Sequence, residues 1–141
     1  MDFFVPFRIC GSGLSAQRAK MDVITANLAN VDTTRTPEGG PYMRKVISFS
    51  SQPVGRVFDM KLRKALNMVR VGDVEESREG VRRVADPGHP DADASGFVSL
   101  PNVNVVSEMA GMIMASRAYE ACVTAFDATK SMALKTLEIG R

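Results

Sequence analysis

The sequence predicts a mainly α-helical protein with a small β insertion, in which long N- and C-terminal helices form a coiled coil. Three observations support this fold class. Apolar residues recur at alternating spacings of four and three along the last forty residues, which is the period of a coiled-coil seam. The same spacing returns in a shorter stretch near the start of the chain. Between the two stretches the pattern changes to alternation interrupted by Pro and Gly, which is typical of strands and turns.

The C-terminal stretch predicts one long helix. Asn102 or Asn104 is suited to cap its start, and Gly140 stands where a helix end favours a residue free to adopt positive φ. At a rise of about 1.5 Å per residue the helix would be about 50 Å long, so it cannot bury its apolar stripe in a small globule without a second helix. The predicted seam comprises Val105, Met109, Met112, Ser116, Tyr119, Val123, Phe126, Lys130, Ala133 and Leu137.

A shorter seam predicts an N-terminal helix that begins after Ser12 or Ser15, since both residue types cap helices. Residues 1–11 are apolar without a clear period and are predicted to form a lead-in before the helix. The helix is expected to end within residues 30–34. Its seam comprises Leu14, Gln17, Met21, Ile24, Leu28 and Val31.

The middle of the chain is predicted to be β-rich, and it divides the chain into segments 1–34, 35–101 and 102–141. Turn residues dominate 36–41 and recur at 86–93, where the chain reads Asp-Pro-Gly-His-Pro-Asp-Ala-Asp. Residues 50–56 are expected to form a loop. Phe58, Leu62, Ala65 and Leu66 suggest a short amphipathic helix. Strands are predicted at 43–49, 69–74, 81–85 and 97–100, and the last two form a hairpin.

Composition and charge exclude several classes of protein. The 141 residues are 45% hydrophobic and suffice for one ordinary domain. The net charge of +2 comes from interleaved signs, so no basic face is expected for nucleic acid or an anionic membrane. No apolar run approaches the length of a membrane span. The first ten residues, with Asp2 and no basic region or cleavage site, do not resemble a Sec-type signal.

Candidate chemical sites are few. His89 with Asp86, Asp91 and Asp93 contains metal-ligating groups, but Asp and Gly in such a segment usually serve the turn itself. The Gly-Ser-Gly run at 11–13 lacks the lysine and the preceding strand of a phosphate-binding loop. His89 is the sole histidine, and no nucleophile has a base with an orienting group nearby. The sequence therefore predicts no catalytic residue, cofactor or metal site.

The apolar seams are instead predicted to be interaction surfaces. Helices of unequal length leave part of the longer seam without a partner in the same chain, which implies a partner helix from another subunit. Met109, Met112 and Met114 suit adaptable packing there. The predicted interaction residues are Leu14, Met21, Ile24, Leu28, Val31, Val105, Met109, Met112, Tyr119, Val123, Phe126 and Leu137.

Several motifs resemble those of bacterial flagellar axial proteins. The general signature is SGLSAQ at 12–17, MDVI at 21–24 and ANLANV at 26–31. Further motifs narrow the resemblance to the proximal-rod proteins of the FlgC family: TTRTPEGGPY at 33–42, DPGHPDAD at 86–93, PNVNVV at 101–106, SRAYE at 116–120 and KSMALKTLEIGR at 130–141. Residues 50–80 match no pattern of that family.

The resemblance implies a non-enzymatic subunit of the flagellar basal-body proximal rod, the hollow shaft that transmits torque across the periplasm. Its implied partners are copies of itself, other rod proteins, the adaptor between the membrane ring and the rod base, and the flagellar type III apparatus that exports it unfolded. The terminal helices are expected to line the inner tube and to order on assembly, with the middle segment outside. No nucleic acid and no membrane span are implied.

Cys10 and Cys122 are the two cysteines of the chain, and two are too few for a zinc site. Since export requires a reduced chain, they are predicted to stay unpaired, although an oxidising compartment permits a disulfide.

The sequence leaves two alternative functions open. One is a secreted adaptor or chaperone-like helical binder, which predicts a stable free dimer with both seams protected. The other is a metal-dependent enzyme that relies on His89 and its neighbouring carboxylates.

Overall fold

The computed structural model describes residues 4–54, 66–77 and 80–139. Within these residues, two helices and four strands follow one another in the order of the predicted segments: α1 (Val5–Ala29), β1 (Arg44–Pro53), β2 (Asn67–Ser77), β3 (Arg82–Ala85), β4 (Phe97–Leu100) and α2 (Val105–Ile139). The strands form two separate two-stranded sheets, β1 with β2 and β3 with β4. This arrangement confirms the predicted fold class of long terminal helices around a small β insertion.

Helix α1 begins earlier than the sequence suggested. It begins at Val5, with Phe4 at the cap position and Pro6 in the first turn. Proline is tolerated there because the first turn of a helix has no acceptors for its N–H groups. The prediction of an irregular lead-in, with capping by Ser12 or Ser15, was therefore wrong for residues 5–11.

The Gly-Ser-Gly run lies inside α1 and does not form a loop. The Ser12 hydroxyl donates to the Ile9 carbonyl oxygen at 2.7 Å and accepts from the Val69 backbone N–H at 3.2 Å. Ser12 thus joins α1 to strand β2. A helical backbone in this run leaves no cradle of free N–H groups for phosphate, so its role is in packing.

The two helices pack against each other in antiparallel fashion. Near the end of α1, Asn27 contacts Glu108 at the start of α2. Near the start of α1, the Phe7 ring meets the Phe126 ring edge to face, with centroids 5.1 Å apart. The start of α1 therefore lies beside the second half of α2, and α2 continues past Phe126 to Ile139.

The side of α2 that is shielded from solvent is rotated slightly from the predicted seam. The less exposed residues include Glu108, Met112, Ala115, Tyr119, Cys122, Phe126, Thr129 and Ala133, again at spacings of four and three. The predicted seam consists of two columns, each of residues seven positions apart. The column that contains Met112, Tyr119 and Phe126 lies on this shielded side. The other predicted column lies one residue beyond the second shielded column, and its large apolar members Met109, Val123 and Leu137 are exposed in the single chain. Val105, at the start of the column that contains Met112, is exposed as well.

The predicted seam of α1 agrees more closely with its burial. Ile24 is buried, and the remaining predicted interaction residues, Leu14, Met21, Leu28 and Val31, are half-buried.

Cys10 and Cys122 are half-buried free thiols. Neither helix, over the part of the chain described, is long and apolar enough to cross a membrane.

The β1–β2 hairpin is longer than predicted, since residues 50–53 continue β1 where a loop was expected. Its register shifts between Ile47, opposite Val74, and Phe49, opposite Val71. Two β2 residues therefore oppose Ser48, which makes a β-bulge and keeps the valines on one face despite their uneven spacing. The amphipathic helix predicted from Phe58, Leu62 and Ala65 lies outside the described residues.

The second hairpin confirms the strands predicted at 81–85 and 97–100, which pair antiparallel from Arg82 opposite Leu100 to Ala85 opposite Phe97. The Thr34 hydroxyl donates to an Asp91 carboxylate oxygen at 2.8 Å, so the turn between the strands is attached to the segment after α1. Asn104 caps α2 by accepting from the Ser107 N–H at 3.1 Å.

Candidate assembly interface

A buried polar network holds the β1–β2 hairpin on the helix pair, and Asn27 lies at its centre. Asn27 is only 1% exposed. Its amide nitrogen donates to the Lys45 carbonyl at 2.9 Å and to the Glu108 carboxylate at 3.2 Å. Its amide oxygen accepts from the Tyr42 hydroxyl at 3.0 Å and from the Lys45 N–H at 2.8 Å. Both donor protons and both acceptor sites of this side chain are therefore used.

Glu108 brings a carboxylate into the same network. It is 3% exposed, and its second oxygen pairs with the Arg44 guanidinium at 2.7 Å. Burial of a charge is tolerated when it is paired and hydrogen-bonded. Glu108 also lies in the first turn of α2, where the helix dipole favours a negative charge. These contacts fix α1, β1 and α2 relative to one another.

The environment of Tyr42 favours the protonated form of its phenol. Burial raises the pKa of the Tyr42 phenol, and the negative charges of Glu76 and Glu108 raise it further. The Lys45 ammonium lies 5.9 Å from the centroid of the Tyr42 ring, within the range of a cation–π contact. The phenol can therefore donate to Asn27 up to a higher pH than the phenol of an exposed tyrosine could.

Asn102 extends the network to the far strand. It accepts from the Arg44 backbone N–H at 2.7 Å and donates to the Ser77 carbonyl at 2.6 Å. It therefore ties the ends of β1 and β2 to the segment that enters α2. Asn104, and not Asn102, is the helix cap.

Helical periodicity gives no signal for this network, because it depends on the spacing of apolar residues only. Asn27 stands between Ile24 and Leu28 on the predicted buried side of α1, and Glu108 precedes Met109 by one residue. The sequence did contain a signal for it: Asn27 is a polar residue on a face predicted to be buried, and a buried polar side chain needs hydrogen-bond partners.

Outside the network, α2 presents large apolar side chains to solvent. Met109 is 54% exposed, Leu137 66% and Ile139 86%. Other large apolar residues that α2 leaves exposed are Val105, Val106, Ile113, Met114, Val123, Met132 and Leu134. Apolar side chains gathered along one element favour contact with another molecule. The predicted role of the seams in interaction remains a prediction.

The Asp and His residues of the second hairpin serve its turn. Asp86 accepts from the Gly88 N–H at 3.2 Å, and Asp93 from the Ser95 N–H at 2.8 Å. His89 accepts from the Asp91 N–H at 3.1 Å. Backbone hydrogen bonds from Phe97 and then Ser95 lower the pKa of Asp93.

The other metal-ligating side chains of the described part of the chain do not gather into a site. Within residues 4–54, 66–77 and 80–139, no group of three or more His, Cys, Asp or Glu side chains is placed to hold a metal ion. The geometry of the described residues thus points to helix packing as the functional feature.

The two helices are also the parts of the chain that match known families. Residues 7–35 match the family described as flagella basal body rod protein. Residues 94–139 match the family described as flagellar basal body rod FlgEFG protein C-terminal. The helix pair therefore defines the class: a protein of the flagellar basal-body rod.

Individual proteins with similar sequences identify one family within the flagellar basal-body rod proteins. The chain is 42% identical over 149 residues to the flagellar basal-body rod protein FlgC of Borreliella burgdorferi, covering 99% of this chain and 98% of the relative. It is 41% identical to FlgC of Bacillus subtilis over the full length of both. With FlgC of Salmonella typhimurium it shares 41% identity over 96% of each chain. The chain belongs to the FlgC family of flagellar basal-body rod proteins, and it is a structural subunit and not an enzyme.

Proposed function

We propose that this rod subunit polymerises through the outward faces of its α1–α2 pair, with copies of itself and with other rod proteins. In this proposal the two helices line a hollow shaft, and the β-rich segment 35–101 lies outside and contacts neighbouring subunits. Segments 1–34 and 102–141 are the two halves of one rod-core domain. The observation that carries the proposal is the number of large apolar residues that α2 leaves exposed, among them Met109, Val123 and Leu137.

The lengths of the helices support this arrangement. Helix α2 has 35 residues and α1 has 25, so α1 cannot cover the whole of α2. Full burial of an exposed apolar side chain contributes about 1.5–3 kcal/mol, and Met109, which is 54% exposed in the single chain, would gain about half of that against a neighbouring subunit. Repeated along the seam, such contacts give close packing, which transmits torsion with little deformation.

Membership in the rod family supports a proposal for the location and the remaining partners. We propose that the subunit works in the periplasmic part of the basal body and reaches it through the flagellar type III apparatus, without a cleaved signal peptide. The adaptor between the membrane ring and the rod base is a further proposed partner. Reduced thiols at Cys10 and Cys122 would suit passage as an unfolded chain.

The proposal is tested by placing charge on the exposed seam. Met109→Asp combined with Val123→Asp changes side chains that are exposed in the single chain, so the fold should be retained. Expression of this variant in cells that lack the wild-type chain should abolish rods and swimming. Thr124→Asp, next to Val123 but off the seam, is the matched control. Normal rods in the double variant would contradict the proposed interface.

A further inference from the structure

A cleft opens between α1, β1 and α2, beside the buried polar network. Its volume is about 310 Å³, at the lower end of the range for sites that admit a small ligand or side chains. Its apolar wall includes Val23, Ile24 and Met114, and its rim carries Lys20 and Lys45. It lies at the end of the helix pair where Asn27 meets Glu108.

The cleft is electropositive. Arg44 also lines it, but its charge is matched by Glu108 at 2.7 Å. Over the described ranges, the ion pairs are Arg35 with Asp91 and Arg44 with Glu108, so neither Lys20 nor Lys45 forms an ion pair within them. Lys45 lies opposite Glu76 in the β1–β2 pair and contacts the Tyr42 ring. A site with apolar walls and two ammonium groups that form no ion pair within the described ranges favours an acidic residue flanked by apolar ones.

The opposite end of the helix pair presents such a sequence. Beyond the contact between Phe7 and Phe126, α2 continues to its last described turn, Leu137-Glu138-Ile139. All three residues are exposed. The last turn holds no basic residue, so the Glu138 carboxylate lies near the negative end of the helix dipole, which is unfavourable. Contact with ammonium groups would remove that unfavourable interaction.

We propose that Glu138 of one copy lies between Lys20 and Lys45 of the next copy, with Leu137 and Ile139 against the apolar wall of the cleft. The inference rests on the proposed function and names two of its contact surfaces. Because the cleft and the α2 terminus are different patches at opposite ends of the helix pair, the contact is head-to-tail. A contact of this kind generates an open helical polymer unless its rotation closes a ring.

Charge reversal and charge exchange test this contact in cells that express only the variant chain. Lys20→Glu with Lys45→Glu, or Glu138→Lys alone, should each lower the yield of isolated rods about tenfold or more, because like charges then meet. The triple variant carrying all three substitutions restores opposite charges, and its rod yield should recover. Arg117→Glu and Glu120→Lys, exposed on α2 away from the cleft and off the predicted seam, are matched controls that should leave the yield unchanged.

Two outcomes would overturn the inference. One is normal rods in both charge-reversed variants, which would show that neither surface is needed. The other is loss of rods in all three variants although circular dichroism shows each chain folded, which would assign the two surfaces to different partners. Failure of the proposed function is separate, because it would appear in the Met109→Asp, Val123→Asp variant, whose substitutions touch neither surface.

Discussion

Asn27 and Glu108 occupy buried positions that apolar residues would ordinarily fill, because each replaces contacts with water by contacts with two other elements. Sequence periodicity located α1 and α2, but it assigned no role to either residue. The reason is physical: periodicity reports which side of a helix is buried, whereas a polar network depends on which β1 residues reach that side. The contacts to Arg44 and Lys45 are set by the tertiary fold.

Removing the Glu108 carboxylate should destabilise the chain. In Glu108→Ala, the Arg44 guanidinium and one Asn27 donor lose their partner, which should cost about 1–3 kcal/mol in the free energy of unfolding. Arg44 is partly exposed, so water limits the loss. Urea unfolding of the purified chain measures it. Glu120→Ala, exposed on the same helix, should change the value by less than about 0.5 kcal/mol.

The raised pKa of Tyr42 makes stability depend on alkaline pH. Below the pKa of an unfolded tyrosine, about 10, the phenol is protonated in both states and its contribution is complete. Above it, the unfolded chain releases the proton first, because burial and nearby carboxylates hold the folded pKa higher. The free energy of unfolding therefore falls as pH rises from about 10 through the folded pKa.

A comparison of wild type with Tyr42→Phe isolates this contribution. Urea unfolding at pH 9 and pH 11 should show a smaller loss of stability in the variant than in wild type, although the variant also lacks the hydrogen bond to Asn27. Equal losses would mean that the phenol titrates alike in both states.

At the scale of the elements, small residues decide how closely the helices approach. Gly13 faces Cys122, and a Cβ built at Gly13 would lie 3.1 Å from the Cys122 sulfur. Gly11, in the same helix, has no heavy atom within 4 Å of such a Cβ. Periodicity predicted that Tyr119 and Phe126 face α1, but it placed the centre of the buried side of α2 about one residue too far on. The second shielded column, which contains Ala115 and Cys122, consists of small or polar residues and therefore gives little apolar signal.

The two glycines provide a matched pair of substitutions. Gly11→Ala should raise the free energy of unfolding by about 0.5–1 kcal/mol, since alanine loses less backbone freedom in a helix. Gly13→Ala should gain less or lose stability, because the Cys122 sulfur must move. In a Cys122→Ala background the Gly13→Ala gain should approach that of Gly11. Urea unfolding of the four variants and wild type tests this coupling, and equal gains at both glycines in wild type would refute it.

The hairpins show how much of the β insertion the sequence could predict. Strands β3 and β4 were found from their alternation and the Pro-Gly turn between them. Strand β1 was cut short because Pro53 resembles a loop residue, yet it lies at the strand end, opposite Asn67, where a missing N–H donor is tolerated. The bulge at Gly72 was not predictable from the uneven spacing of the valines alone. Only the pairing with β1, in which Val71 lies opposite Phe49 and Val74 opposite Ile47, shows that the valines share one face.

At the scale of the whole molecule, stability is expected to be uneven along the helix pair. The polar network and β1 lie at the end where Asn27 meets Glu108, whereas the exposed side chains of Leu137 and Ile139 lie at the other. Few buried contacts favour local opening. A free subunit of this kind would order its remaining helix turns only when neighbours cover them.

Amide hydrogen exchange should therefore differ between the free chain and assembled rods. In the free chain, amides of β1 and the first turns of α2 should be the most protected, and those of residues 127–139 should exchange rapidly. In isolated rods, residues 127–139 should become protected, because neighbouring subunits bury them. An adaptor that functions as a stable dimer would instead show both helices fully protected before any assembly. That result in the free chain would contradict ordering on assembly, because no part of the helix pair would remain for a rod contact to order.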